Sequence, residues 1–168
     1  SSNVLAVVRD YKDLLEKDPS SYYAKVGEVL DEPVPFARIA KVVMGKKSYM
    51  AASEEQRNSF ADAFRNSMVE TLAKGLANFS DLQVITHPSD ATPEPGKKTV
   101  RVKQEVAGGK DPYQITYTMY HDSTGEWLLA DVNLNGVSLR RQFTSQFSQM
   151  MKTHNNDIDK VIASWSES

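Results

Sequence analysis

Residues 99–121 read TVRVKQEVAGGKDPYQITYTMYH, with apolar and polar side chains alternating on both sides of a turn-rich centre. A period of two is typical of strands that have one face against a core. The sequence therefore predicts strands at Thr99–Ala107 and Tyr113–His121. The short connection between them predicts an antiparallel hairpin.

Two more strands flank this hairpin. Leu82–Thr86 precedes it, and Trp127–Leu134 follows it, with Asn135-Gly136 closing the run. The spacing predicts a four-stranded antiparallel meander. Two apolar sets compete for the inward face of the last strand, so the pattern leaves that face open: Trp127 with Leu129, and Leu128 with Val132.

Helical periodicity dominates the segments before and after the strands. The clearest helix runs from Ser53 to about Phe79, where Ser53 and Gln56 form a capping box and apolar residues recur at steps of four. An earlier helix has Pro35 near its first turn and Gly45 just past its end. Other helices are predicted near residues 4–15, after Pro19, after Ser138 and at about Asp157–Trp165. Helices, four strands and helices again make an α+β fold.

The composition excludes several classes of protein. The chain has 168 residues, which fits one domain, and its 20 Lys+Arg against 22 Asp+Glu give a net charge of −2. The charge is spread evenly over both halves, which argues against a basic nucleic-acid face. The absence of cysteine excludes disulfides, thiol nucleophiles and Cys-ligated zinc in this chain. No apolar run approaches the roughly 18 residues that a membrane span needs.

No reaction centre is evident. The three histidines are far apart, and none has the spacing of a helical metal site, so no metal is expected. Lys46-Lys47 are candidate phosphate contacts, although a solvated helix end is the favoured interpretation. Asp131 lies in an apolar strand, where burial would raise its pKa and suit a general base. We favour a structural role for Asp131 on the polar side of the sheet or as a backbone cap, because no partner acid or base is visible.

Several segments, taken together, resemble the MlaC family. Each motif is short, but they follow the family's order over nearly the whole chain. The matching segments are Val34–Gly45 ("dfxxIAxxvLG"), Ala52–Arg65 ("aSpeQrxxFxxaFrxxL"), Trp127 with Asp131 and Gly136–Leu139 ("W…D…GvSl"), Phe143–Phe147 ("yRsqF") and Asp157–Ile162 ("DGLI").

The resemblance implies a periplasmic phospholipid carrier of a Gram-negative bacterium, of a family also named for toluene tolerance. It implies one domain over residues 1–168, similar to nuclear-transport-factor-like cones, with a twisted four-stranded antiparallel sheet packed against several helices around a lipid cavity. The carrier would shuttle phospholipid between outer- and inner-membrane Mla complexes and maintain outer-membrane lipid asymmetry. A removed export signal would explain why Ser1 is not preceded by Met.

The partners that the resemblance implies are an outer-membrane lipoprotein–porin complex containing MlaA and an inner-membrane MCE-domain ABC transporter containing MlaD. Phospholipid is expected as cargo rather than as a cofactor. Contact with membrane surfaces would be transient, the carrier is expected to be a monomer, and neither nucleic acid nor catalysis is expected.

Apolar residues of the stripes are the candidate lipid contacts. On the helices and their flanks they are Phe36, Ile39, Val43, Met44, Tyr49, Phe60, Phe64, Met68, Leu72, Val137, Phe143 and Phe147. On the strands they are Val100, Val102, Ile115, Tyr117, Met119 and Leu129. Two alternatives stay open: a small-molecule enzyme of the nuclear-transport-factor-like type that uses Asp131, and an interaction module with a filled core.

Overall fold

The computed structural model describes residues 10–11, 13–31, 34–78, 83–86, 99–107, 113–121, 124–125 and 127–167. They divide into a helical unit, within Ser1–Ser80 and Thr144–Ser168, and a sheet unit, within Asp81–Phe143. The described helices are α1 (Leu14–Lys17), α2 (Pro19–Asp31), α3 (Phe36–Ala51), α4 (Glu54–Asn78), α5 (Leu139–Thr153) and α6 (Ile158–Glu167). The helix predicted near residues 4–15 falls mostly outside the described residues.

The predicted capping box starts α4. The backbone N–H of Ser53 donates to Gln56 Oε1 at 2.9 Å, and the backbone N–H of Gln56 donates to Ser53 Oγ at 3.1 Å. Two donors that the first helical turn leaves without intrahelical partners are thereby satisfied. Gln56 Nε2 also donates to Asp159 Oδ1 at 3.2 Å, which links the cap of α4 to the first turn of α6.

Gly45 breaks α3 but does not end it. Its backbone has φ 78° and ψ 160°, a conformation outside the helical region that glycine adopts without a Cβ clash. Helical residues resume after it and continue to Ala51. The prediction that a helix stops at Gly45 located this break, but a second helical segment follows.

Helix α4 buries different faces along its length. Steps of four overshoot one turn by about 40° each, so a stripe at that spacing rotates around the helix. Phe60 and Phe64 are buried, whereas Met68 and Leu72 are only half-buried. In the second half the buried positions are Val69 and Ala73, and the Ala73 carbonyl accepts the Tyr22 hydroxyl of α2 at 3.0 Å. The steps of four therefore predict the buried face of the first half of α4, and Val69 and Ala73, which widen the stripe in the sequence, predict it in the second half.

The sheet is an antiparallel meander with the order β1 (Gln83–Thr86), β2 (Thr99–Ala107), β3 (Tyr113–His121), β4 (Trp127–Leu134) and β5 (Val137–Ser138). The four predicted strands and the α+β class are confirmed. The two-residue β5 was missed. Asn135 and Gly136 both have positive φ, 48° and 87°, and they join Leu134 to its cross-strand partner Val137. An Asn-Gly pair of this kind is a strong signal for a tight hairpin.

A β-bulge settles which residues of β4 share a face. Tyr117 pairs with Val132 and Met119 pairs with Leu129, so the register skips Ala130. Directly opposed residues lie on one face, and Tyr117 and Met119 are two positions apart on one strand. Val132 and Leu129 therefore share that face, although three positions separate them. Trp127 joins them through its pairing with His121, and Leu128 faces the other way.

Candidate functional site

One face of the sheet is apolar. In β2 and β3, Val100 opposes Met119 and Val102 opposes Tyr117, while Ile115 opposes Gln104. The six predicted strand contacts, Val100, Val102, Ile115, Tyr117, Met119 and Leu129, all lie on this face. The opposite face carries Arg101, Lys103, Glu105, Thr116, Thr118, Asp131 and Asn133. We call the first set, together with Val132, the apolar sheet face.

Tyr117 occupies the middle of the apolar sheet face. Val102 opposes it on β2 and Val132 opposes it on β4, so its ring has aliphatic neighbours on both adjacent strands. Burial raises the pKa of the Tyr117 phenol, because the phenolate is disfavoured away from water. Gln104, also on this face, is a buried polar residue that sequence reasoning did not select.

An aromatic cluster fills the helical unit. The Phe60 ring lies 5.0 Å from Phe147 of α5 and 5.2 Å from Trp165 of α6, both in edge-on arrangements. Phe64 also contacts Trp165, at 6.1 Å between ring centroids. Three predicted lipid contacts thus pack around a tryptophan that was not selected as one. Trp165 is only 2% exposed, and its indole N–H donates to Ser67 Oγ at 3.1 Å.

The other predicted contacts are distributed over α3, α4, β5 and the start of α5. Phe36, Val43 and Met44 are buried; Ile39, Tyr49, Met68, Leu72 and Phe143 are half-buried; Val137 is exposed. Tyr49 differs from the rest because cations contact its ring: Lys41 Nζ at 4.9 Å and the Arg57 guanidinium at 4.1 Å from the centroid.

Asp131 caps a helix. Its carboxylate accepts hydrogen bonds from the Ser138 hydroxyl, from the Arg140 backbone N–H at 3.1 Å and from the Val132 backbone N–H at 2.8 Å. Ser138 Oγ in turn accepts the Arg141 N–H at 3.2 Å, at the first turn of α5. Because Asp131 opposes Thr118, it lies on the face opposite the apolar one. The structural interpretation of Asp131 as a backbone cap on the polar side of the sheet is confirmed.

The described part of the chain has neither a metal-binding cluster nor a membrane-spanning helix. No group of three or more His, Asp or Glu side chains there is placed to hold a metal ion. His121 is exposed beside Trp127, and His154 lies 3.1 Å from Ser164 Oγ, while His87 is outside the described residues. None of the described helices is long and apolar enough to cross a membrane.

One family model and two known proteins match nearly the whole chain. The family profile described as "MlaC protein" matches residues 1–167. Toluene tolerance protein ttg2D from Pseudomonas putida is 26% identical over 166 residues, covering 98% of this chain and 75% of that protein. A phospholipid-binding protein from Ralstonia solanacearum, solved in complex with a phospholipid, has the same fold: its TM-score is 0.81, at 22% identity over 99% of this chain and 90% of that chain.

Proposed function

The chain belongs to the MlaC family, and from this membership we propose that it is a periplasmic phospholipid carrier. In this proposal it moves phospholipid between an outer-membrane complex containing MlaA and an inner-membrane transporter complex containing MlaD. Its work maintains the lipid asymmetry of the outer membrane. The carrier acts as a monomer, with residues 1–168 as one lipid-binding domain, and needs no cofactor.

The apolar sheet face is the observation that carries the proposal. It presents a continuous set of Val, Ile, Tyr, Met and Leu side chains across three strands, and its residues are half-buried rather than fully closed off. An aqueous carrier must shield an acyl chain whose exposure to water costs on the order of 10 kcal/mol, at about 0.8 kcal/mol per CH₂. Aliphatic and thioether side chains provide that shielding without any catalytic group.

We propose that acyl chains contact the apolar sheet face. The residues predicted on α3, α4 and α5 are proposed separately as further lipid contacts. Val100, Val102 and Met119 are central to this assignment because they oppose or adjoin one another on β2 and β3. Methionine adapts its shape to its neighbours, so we expect weak selectivity for acyl-chain length. The Ralstonia solanacearum protein, which has the same fold, holds a phospholipid, and this supports phospholipid as the cargo.

Lipid extraction tests the proposal. The purified protein is extracted with organic solvent and the extract is examined by mass spectrometry, and a delipidated sample is then incubated with liposomes. We expect phospholipid in about equimolar or lower amount in the first measurement and uptake in the second. Recovery of no phospholipid, together with no uptake from liposomes, would overturn the proposed function.

The enzyme alternative has lost its motivation. It depended on Asp131 as an acid or base inside the apolar site, whereas the carboxylate lies on the polar face and accepts hydrogen bonds from Ser138 and Arg140 at the start of α5. A general base has to lie within hydrogen-bond reach of its substrate, and a carboxylate on the other face of the sheet does not reach the apolar one. We therefore propose no catalytic residue.

A further inference from the structure

Helix α3 concentrates positive charge. Residues 34–53 contain no Asp or Glu, although the whole chain carries more acidic than basic residues. Lys41, Lys46 and Lys47 lie in this segment and are exposed. The charge of this segment is therefore opposite in sign to that of the protein as a whole, which makes α3 the part of the helical unit suited to an anionic surface.

Contacts to Tyr49 hold the two segments of α3 together across the break at Gly45. Lys41, before the break, places Nζ 4.9 Å from the Tyr49 ring centroid, after the break. Arg57 of α4 lies 4.1 Å from the same ring, and its Nε donates to the Tyr49 carbonyl at 2.8 Å. One cation of the first segment and one of α4 thus contact the aromatic ring of the second segment.

These cations are not neutralised by carboxylates. Elsewhere in the helical unit, Arg65 binds Asp31 at 2.6 Å and Lys74 binds Glu70 at 2.9 Å. Among the residues that the structure describes, Lys41, Lys46, Lys47 and Arg57 make no such ion pair. Their charge is available to a binding partner.

Two exposed apolar side chains lie close to these lysines in sequence. Val42, next to Lys41, is 48% exposed, and Met50, next to Tyr49, is 68% exposed. We define the basic face of α3 as Lys41, Val42, Lys46, Lys47 and Met50. Lysines without a carboxylate partner, next to exposed apolar residues, are suited to the headgroup layer of a bilayer. There the cations bind lipid phosphates and the apolar side chains reach the acyl boundary.

We propose that the basic face of α3 docks the protein on an anionic lipid surface. The proposal rests on the proposed function, since a phospholipid carrier has to reach a membrane to exchange its cargo. The charges are spread along two helical segments rather than converging on one pocket, which favours a headgroup layer over a single phosphate group. The small number of cations makes the contact reversible, because each adds only a modest factor to membrane partition.

Vesicle sedimentation tests the docking surface. The lipid-loaded protein is mixed with phosphatidylcholine vesicles with or without phosphatidylglycerol, at low and high salt. We expect binding only to the anionic vesicles and loss of binding at high salt. Lys46→Gln with Lys47→Gln should weaken binding about 25-fold, at about five-fold per removed cation. Lys152→Gln with Lys160→Gln removes the same charge from α5 and α6, and should weaken binding far less.

Several results of the vesicle experiment would contradict the docking proposal. Unchanged binding in the Lys46/Lys47 variant, or an equal loss in the Lys152/Lys160 variant, overturns the proposal. If the wild type does not sediment with vesicles but binds polyglutamate, the basic face of α3 binds an acidic protein instead. The proposal that it binds a lipid surface is then wrong. Met50→Ser should lower vesicle binding several-fold. Unchanged binding would show that the Met50 side chain does not contact the bilayer.

Cargo content separates this proposal from the proposed function. The Lys46/Lys47 variant should retain as much co-purifying phospholipid as the wild type, because neither lysine is a proposed acyl contact. A wild type that contains phospholipid but does not sediment with vesicles refutes the docking surface alone. A wild type that sediments but never contains phospholipid refutes the carrier.

Discussion

Asp131 accepts the hydroxyl hydrogen of Ser138, which lies at the end of β5 and directly before α5. The same carboxylate accepts the Arg140 backbone N–H, so one side chain of the sheet satisfies donors at the start of a helix. Ser138 Oγ in turn accepts the Arg141 backbone N–H and so caps the first turn of α5. The two residues fix where the strand ends and the helix begins.

Asp131→Ala should destabilise the fold without changing its lipid content. It leaves the Ser138 hydroxyl and the Arg140 N–H without their acceptor, which costs about 1–3 kcal/mol. Ser138→Ala should cost about 1 kcal/mol, as expected for the loss of a helix cap. Urea unfolding measures both variants. Asp131→Asn, which retains one acceptor oxygen, should co-purify with as much phospholipid as the wild type. If this variant loses phospholipid but not stability, Asp131 contributes to lipid binding.

Trp165 should be the most costly single residue to truncate in the helical unit. Trp165→Ala removes the contacts with Phe60 and Phe64, and we expect a loss of about 3–5 kcal/mol in the free energy of unfolding. Ser67→Ala takes away the acceptor of the indole N–H and should cost about 1–3 kcal/mol. Trp127→Phe, at a side chain that is 38% exposed, is the control. A control as destabilising as Trp165→Ala would contradict the central role of Trp165.

Raised tyrosine pKa values predict a loss of stability in alkali. Burial, and then the neighbouring Tyr23, raise the pKa of the Tyr22 phenol above its ordinary value of 10.0. Above pH 10 the unfolded chain releases this proton while the folded chain retains it, so the free energy of unfolding falls as pH rises toward the folded pKa. Below pH 10 both states hold the proton and the contribution is constant.

Urea unfolding between pH 7 and pH 11 measures this effect. Tyr22→Phe should lose about 1 kcal/mol at neutral pH, because the hydrogen bond to the Ala73 carbonyl disappears. Its decline above pH 10 should be shallower than that of the wild type, since one titrating phenol is gone, while the buried Tyr117 still contributes. Parallel profiles for the two proteins would show that Tyr22 does not titrate differently in the folded state.

The strands could be predicted almost to their ends because alternation is a local property. Val100 and Val102 were placed correctly on one face, and so were Ile115 and Tyr117, because regular β-structure determines the face from the spacing alone. The alternation alone could not predict that Leu129 and Val132 share a face. A one-residue bulge at Ala130 reverses the alternation, and nothing in the local pattern marks it.

For the helices, sequence reasoning predicts local features but not contacts with distant residues. The capping box at Ser53 and Gln56 depends on neighbours three positions apart, so the sequence alone predicts it. Which face of α4 is buried depends on distant partners: Phe147 and Trp165 at one end, and Tyr22 at the other. The β5 strand was predictable, because Asn135-Gly136 between apolar residues is a hairpin signal, and it was interpreted only as the end of a strand.

A bulky side chain on the apolar sheet face should block lipid loading. Val102→Trp adds an indole beside Tyr117, where we propose that acyl chains lie, and should greatly reduce co-purifying phospholipid while circular dichroism stays native. Lys103→Trp is the matched control, because Lys103 is exposed and the ring is added one position along on the opposite face. Mass spectrometry of both extracts gives the comparison. Equal lipid content in the two variants would show that acyl chains do not use the apolar sheet face, even if the protein carries phospholipid elsewhere.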